Sequence, residues 1–173
     1  RADRLRVAYH EAGHALAGIC LRGPGQLVRV TVLPHGRSYG HTLFRDAEEE
    51  RHLHTRQDAM DRLTELLAGR AAEELILGEP QAGAADDLER ATELARLRVT
   101  RWGMHPDIGP LRVGQAEQEP GEESLRAADR AMRSLMDEAL ARARGLLAAR
   151  RQALERVAAA LLEQERLEGP AVE

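Results

Sequence analysis

The stretch His10-Glu11-Ala12-Gly13-His14 decides how the rest of the chain is interpreted. It lies in a segment whose apolar residues recur at helical spacing. Residues four apart on an α-helix are separated by only about 40° around the axis, so both imidazoles face one side and can bind a single metal ion. The neighbouring Glu11 can take a proton from a water on that ion. The pattern predicts a zinc peptidase, although the same letters also occur on solvated helical faces.

Composition favours one mainly helical domain. The 173 residues suffice for a substantial core, and only 2% of them are aromatic. A core of Leu, Ala, Val and Ile suits packed helices better than a β-sandwich. The net charge of −4 gives no electrostatic footprint for nucleic acid. No apolar run is long enough to span a membrane, and the single cysteine, Cys20, indicates a reducing compartment. We therefore expect a cytoplasmic location, or the cytoplasmic face of a membrane if the chain is part of a longer one.

The first elements are predicted to be a helix and a β-hairpin. The helix covers residues 3–21 and ends at Gly23-Pro24-Gly25. A strand over residues 27–33 follows, and a second strand pairs with it. Two strands alone are marginal, so we expect them to pack on helices. A free edge of the second strand would accept an extended peptide substrate, although an ordinary covered strand is the alternative. That strand consists of Tyr39, Gly40, His41, Thr42, Leu43 and Phe44.

A second long helix is predicted over residues 55–77. Its apolar stripe consists of Met60, Leu63, Leu67 and Ala71, and the same spacing continues to Glu74. A carboxylate on an apolar face needs a partner, so we predict that Glu74 binds the free N–H of a metal-ligating histidine. Glu73 is the weaker alternative for that role. The competing interpretation is that Glu74 lies at the edge of the stripe and pairs with an arginine.

The remaining elements are also helical. Asp86 and Asp87 open a helix that reaches about residue 102, and acidic residues there are usually caps, so the residues alone do not show whether either binds metal. Two apolar stripes after residue 122, with a break at 148–151, predict an antiparallel helix pair, although one bent helix would also fit. We expect one domain, with a metal-site half over about 1–105 and a C-terminal helical hairpin over about 122–167. Four other histidines are predicted to be polar surface residues: His35, His41, His52 and His54.

Several motifs occur in the order that is typical of one protein family. They are Val7-Ala8-Tyr9-His10-Glu11-Ala12-Gly13-His14-Ala15, Val30-Thr31-Val32-Leu33-Pro34, Leu67-Ala68-Gly69-Arg70-Ala71-Ala72-Glu73-Glu74, Gly83-Ala84-Ala85-Asp86-Asp87-Leu88 and Trp102-Gly103-Met104. On these motifs nearly all of the chain resembles the peptidase domain of FtsH-type zinc metalloproteases. The resemblance implies a mainly α fold, a helical bundle with a small two- to three-stranded β-sheet beside the His-Glu-x-x-His helix.

The resemblance also implies a mechanism and partners. It makes Asp87 the third ligand of Zn²⁺ beside His10 and His14, with Glu11 as general base in the hydrolysis of unfolded or short-lived proteins. Family members are hexamers in which an ATPase ring feeds the peptidase ring. This sequence has no Gly-x-x-x-x-Gly-Lys-Ser/Thr loop, so we expect either an excised domain or a free-standing relative. The resemblance implies an ATPase domain, in cis or in trans, as the partner. The segment after Leu111 is shorter than is usual in the family.

Two other functions stay open at this point. One is a relative that binds peptides or scaffolds a ring but cleaves no peptide. Such a protein would have no need for the carboxylate of Glu11, which is intact. A zinc hydrolase of a small molecule would need a deep enclosed pocket rather than a broad cleft beside an edge strand.

Overall fold

Helix α1, Ala2–Arg22, carries the His10-to-His14 motif and contacts most of the other elements. The computed structural model describes residues 2–23, 25–34, 39–45, 55–80, 85–114 and 121–172. Within these ranges the fold is mainly α, with a three-stranded sheet beside α1, as predicted. The elements that follow α1 are β1 Leu27–Thr31, β2 His41–Phe44, α2 Arg56–Leu66, α3 Ala68–Leu77, α4 Ala85–Thr100, α5 Glu122–Ala148, α6 Arg151–Gln164 and β3 Arg166–Glu168.

The sheet is antiparallel and has the order β2-β1-β3. Val30 of β1 pairs with Thr42 of β2 on one side and with Leu167 of β3 on the other. The predicted hairpin is therefore confirmed, with β1 ending at Thr31 rather than at residue 33. The prediction that the second strand begins at residue 39 is wrong, because Tyr39 and Gly40 precede β2. Since β1 is central, β2 lies at an edge of the sheet in the described part of the chain.

The predicted helix over residues 55–77 is two helices. α2 ends at Leu66 and α3 begins at Ala68, with Leu67 in a turn at φ −90° and ψ −3°. Leu67 has a high helix propensity and no Gly or Pro lies beside it on the N-terminal side, so the sequence gives no local reason for the break. The break changes which residues of α3 face the interior. The buried face of α3 consists of Ala68, Gly69, Ala71, Ala72 and Glu73.

The core has two apolar clusters that meet along α5. The first joins α1, α3, α6 and the sheet, and the second joins α2, α4 and α5. At Gly13 the backbones of α1 and α3 approach so closely that a Cβ atom would lie 2.6 Å from the carbonyl oxygen of Ala68. The glycine at position 13 therefore lets α3 pack directly against the helix that carries the histidines.

The C-terminal helices are separated where the sequence predicted a break, at Ala149 and Arg150. However, α6 packs mainly against α1, with few contacts to α5. Regular secondary structure continues past residue 167, since β3 is followed by a short 3-10 turn at Gly169–Ala171.

Two further expectations from the sequence concern membrane-spanning helices and the additional histidines. No helix in the described ranges is both long and apolar enough to cross a membrane. Three of the four additional histidines, His35, His52 and His54, lie outside the described residues, whereas His41 is half-buried in β2.

Candidate metal centre

Three potential metal-binding side chains from two helices meet at one point. α1 supplies His10 and His14, and the first turn of α4 supplies Asp87. The Oδ2 atom of Asp87 lies 3.1 Å from His10 Nε2 and 3.0 Å from His14 Nε2, and the two Nε2 atoms are 3.1 Å apart. Ligand atoms bound about 2.0 Å from a tetrahedral zinc ion lie about 3.3 Å from one another. The triangle therefore fits one such ion, with its fourth coordination position left over.

The two neighbouring aspartates have different environments in the structure. Asp86 is exposed, whereas the side chain of Asp87 is 24% exposed and faces both histidines. Asp87 lies in the first turn of α4, where unpaired N–H groups and the helix dipole favour a negative charge. The sequence alone did not distinguish Asp86 from Asp87, but the geometry does.

The titratable groups of this cluster shift one another's pKa. Burial acts to lower the pKa of His10, but hydrogen bonds to Asp87 and Glu73 and the nearby charge of Glu11 raise it to about 10. Burial likewise acts to lower the pKa of His14, yet the charge and hydrogen bond of Asp87 raise it. Burial opposes ionisation of Asp87, but the two imidazoles hold its pKa well below the usual range. A metal ion binding here would displace the protons, because imidazole ligates in its neutral form.

Each histidine also has a partner on its second ring nitrogen. Nδ1 of His10 lies 2.9 Å from Oε1 of Glu73, which is 2% exposed on α3. Nδ1 of His14 lies 2.9 Å from the main-chain carbonyl oxygen of Glu65. A carbonyl can only accept, so His14 Nδ1 is the donor, and the lone pair of the neutral ring is on Nε2. Such partners fix the tautomer and the ring orientation of a metal ligand.

The break at Leu67 and the glycine at position 69 explain why α2 and α3 reach the histidines. The last four carbonyls of a helix have no partner within it, and Glu65 is next to last in α2. This carbonyl accepts from the main-chain N–H of Leu67 and from Nδ1 of His14. A Cβ atom on Gly69 would lie 2.5 Å from His10 Cε1 and from His14 Nε2, so only glycine lets the α3 backbone lie against both rings.

The prediction that Glu74 contacts a ligand histidine is wrong. Its carboxylate accepts hydrogen bonds from Arg70 at 3.0 Å and from Arg144 at 2.8 Å, as the competing interpretation expected. Glu73 occupies the place beside His10. The predicted stripe assumes one continuous helix, but the helix is broken at Leu67, and the buried face of α3 is shifted by one residue to Glu73.

The possible metal-ligand atoms of His10, His14 and Asp87 form what we call the donor triangle, and Glu11 lies in the same cleft. It is 6% exposed, and its Oε2 accepts a hydrogen bond of 2.7 Å from the hydroxyl of Thr42. The cleft has a volume of about 770 Å³ and runs between α1, the segment that contains β2, and the start of α4. All six residues of the predicted substrate strand, Tyr39, Gly40, His41, Thr42, Leu43 and Phe44, line it.

Comparison with known proteins places the chain in a family. The model of peptidase family M41 matches residues 1–173. The chain belongs to this family. A relative from Symbiobacterium thermophilum, named ATP-dependent zinc metalloprotease FtsH 1, is 73% identical over 172 residues, which cover 99% of this chain and 29% of that protein. Relatives with the name ATP-dependent zinc metalloprotease FtsH are 42% identical over 185 residues in Methylibium petroleiphilum and 41% identical over 175 residues in Thermus thermophilus. These two matches cover 98% and 95% of this chain, and 30% and 28% of the respective relatives.

The M41 chain thus spans less than a third of the length of these relatives. Membership of a metalloprotease family agrees with the prediction from His10, Glu11 and His14.

Sequence reasoning missed the roles of Gly69 and Glu65 at the M41 site, and it placed Thr42 in the substrate strand without its contact to Glu11. Gly69, inside a helical pattern, was a usable signal, because a helix-interior glycine often marks a close approach. The carbonyl of Glu65 and the hydroxyl of Thr42 gave no signal. Their contacts with His14 and Glu11 join segments 51 and 31 residues apart.

Proposed function

We propose that this M41 domain hydrolyses peptide bonds in unfolded or short-lived proteins. His10, His14 and Asp87 would hold Zn²⁺, and Glu11 would be the general base. The observation that carries the proposal is the triangle of two imidazole nitrogens and one carboxylate oxygen, 3.0–3.1 Å on a side, in the same cleft as the carboxylate of Glu11. Three protein ligands with an open fourth position are the donor set of catalytic zinc sites.

The chain's own residues supply the acid–base chemistry and the positioning. Bound zinc would polarise the scissile carbonyl and make water nucleophilic near neutral pH. Glu11 receives the proton of the attacking water and later passes it to the leaving amine. Glu73 and the carbonyl of Glu65 keep the two imidazoles in orientation. In the cleft, Glu11 is largely shielded from solvent, which strengthens its electrostatic interaction with the reacting groups.

The substrate backbone would bind along β2. This strand is at the edge of the sheet within the described residues and lines the cleft with the donor triangle. An extended peptide can pair with such an edge through main-chain hydrogen bonds, which hold a sequence without requiring particular side chains. The segment from Tyr39 to Phe44 therefore suits a protease that acts on many unfolded chains.

The proposal includes an ATP-driven partner domain. The relatives are named ATP-dependent, and this chain covers less than a third of their length. ATP hydrolysis by a domain in cis or in trans would deliver the substrate, and a homo-oligomeric ring, a hexamer by family resemblance, would enclose the sites. This arrangement would operate in the cytoplasm or at the cytoplasmic face of a membrane.

Cleavage of casein by this chain without ATP, together with the bound zinc per chain, tests the proposal. Glu11→Gln is the matched control, because it keeps the shape of the side chain and all three donors but removes the base. The proposal predicts that both proteins bind zinc and only the wild type cuts. Cleavage by Glu11→Gln at the wild-type rate would refute the role of Glu11. A zinc-loaded wild type that leaves casein intact, alone and when fused to an ATPase domain, would support the peptide-binding alternative.

A further inference from the structure

The side chain of Thr42 connects the edge strand to the proposed base. Thr42 lies within β2 and pairs with Val30 of β1, while its hydroxyl faces α1. Its Oγ1 is 2.7 Å from Oε2 of Glu11 and 3.3 Å from the main-chain oxygen of Glu11. Both of these oxygens accept, and a hydroxyl has one hydrogen, so the shorter contact receives the donation.

The same segment also constrains the other oxygen of Glu11. Gly40 is buried two residues before Thr42. A Cβ atom at position 40 would lie 2.6 Å from Glu11 Oε1 and 2.7 Å from its Cγ. The chain entering β2 therefore lies directly against one carboxylate oxygen and donates a hydrogen bond to the other.

A glutamate side chain has three rotatable bonds, and a general base must keep its oxygen within hydrogen-bond reach of the proton that it takes. The other residues of the site act on the imidazoles: Glu73 on His10 and the Glu65 carbonyl on His14. Thr42 is the side chain that the structure shows donating to the Glu11 carboxylate, and it belongs to the strand along which the substrate is expected to lie.

We propose that Thr42 is a positioning residue for Glu11, so that the strand which binds the substrate backbone also aims the base at the scissile bond. The inference rests on the proposed function. A peptide paired with β2 is held in fixed register to Thr42 and hence to the carboxylate of Glu11. Misplacing a catalytic group by about 1 Å costs about 100-fold in rate, so loss of this hydrogen bond should reduce kcat.

The test compares Thr42→Val, which removes the hydroxyl and keeps the branched shape, with Thr42→Ser, which keeps the hydroxyl. Thr31→Val is the matched control, since the Thr31 hydroxyl donates to the carbonyl of Glu165 in the same sheet, away from the cleft. For zinc-loaded proteins we expect kcat to fall about 10- to 100-fold in Thr42→Val, with KM and the zinc dissociation constant unchanged. Thr42→Ser should retain most of kcat, and Thr31→Val should lose thermal stability without losing kcat.

A crystal structure of zinc-loaded Thr42→Val gives a readout that does not depend on activity. We expect the Glu11 carboxylate to leave its wild-type position there and to keep it in Thr42→Ser. An unmoved carboxylate in Thr42→Val, or equal kcat for Thr42→Val and wild type, would overturn the positioning role. If the wild type cuts no peptide, alone or when fused to an ATPase domain, the proposed protease function fails, and the carboxylate positions still decide whether Thr42 holds Glu11.

Discussion

Replacing Glu73 by glutamine should weaken zinc binding, whereas the same change at Glu74 should not. Glu73 is 2% exposed and accepts a 2.9 Å hydrogen bond from His10 Nδ1. Glutamine keeps the acceptor and the shape but removes the charge. Hydrogen bonds to charged groups contribute about 1.5–3 kcal/mol and neutral ones about 0.5–1.5 kcal/mol, so about 1–1.5 kcal/mol is lost, close to tenfold in affinity. Loss of an outer partner of a metal ligand costs about 10- to 100-fold.

The assay is the zinc dissociation constant, measured by competition with a chromophoric chelator at fixed pH. Glu73→Gln should bind zinc about 10- to 100-fold more weakly than the wild type. Glu74→Gln should bind it with unchanged affinity and lose a little thermal stability, because its carboxylate joins Arg70 of α3 to Arg144 of α5. Equal losses of affinity in the two variants would refute the assignment of Glu73 to His10.

Two further substitutions probe the surroundings of the site. Gly69→Ala should abolish tight zinc binding, because its Cβ would lie 2.5 Å from both His10 Cε1 and His14 Nε2; chelator competition measures this. Gly145→Ala on α5, where a Cβ meets nothing within 4 Å, is the control and should raise stability by about 0.4–1 kcal/mol. Glu65→Gln should lower the free energy of unfolding by about 2–4 kcal/mol in urea titrations, since Arg22 and Arg62 both bind its carboxylate. Its carbonyl bond to His14 persists, so zinc affinity should fall less than in Glu73→Gln; the opposite order would contradict this role of the main chain.

Local patterns predicted the elements that carry their own signal. The apolar spacing around His10 and His14 predicted α1, and the alternation from Val28 to Val32 predicted β1 and its hairpin partner. β3 was not predicted, because three residues are too few for a pattern. Glu165, at φ 62°, turns the chain from α6 into β3 without the glycine that usually marks such a conformation.

The sequence predicted only part of the site. Two donors four residues apart follow from helix geometry, whereas Asp87 lies 73 residues beyond His14 and needed the family resemblance. The error at Glu74 came from treating α2 and α3 as one helix, since a break at Leu67 has no local sequence cause. Contacts such as Thr42 with Glu11 arise from the packing of the sheet on α1 and have no local signature.

The most direct test of the central claim is the zinc content of Asp87→Ala beside that of its neighbour Asp86→Ala, each measured on folded protein after dialysis against a weak chelator. Asp87 closes the donor triangle, whereas Asp86 is exposed. The account predicts about one zinc per chain in the wild type and in Asp86→Ala, and almost none in Asp87→Ala. Retention of zinc by a folded Asp87→Ala, or its loss from Asp86→Ala alone, would contradict the assignment of His10, His14 and Asp87 as the metal centre.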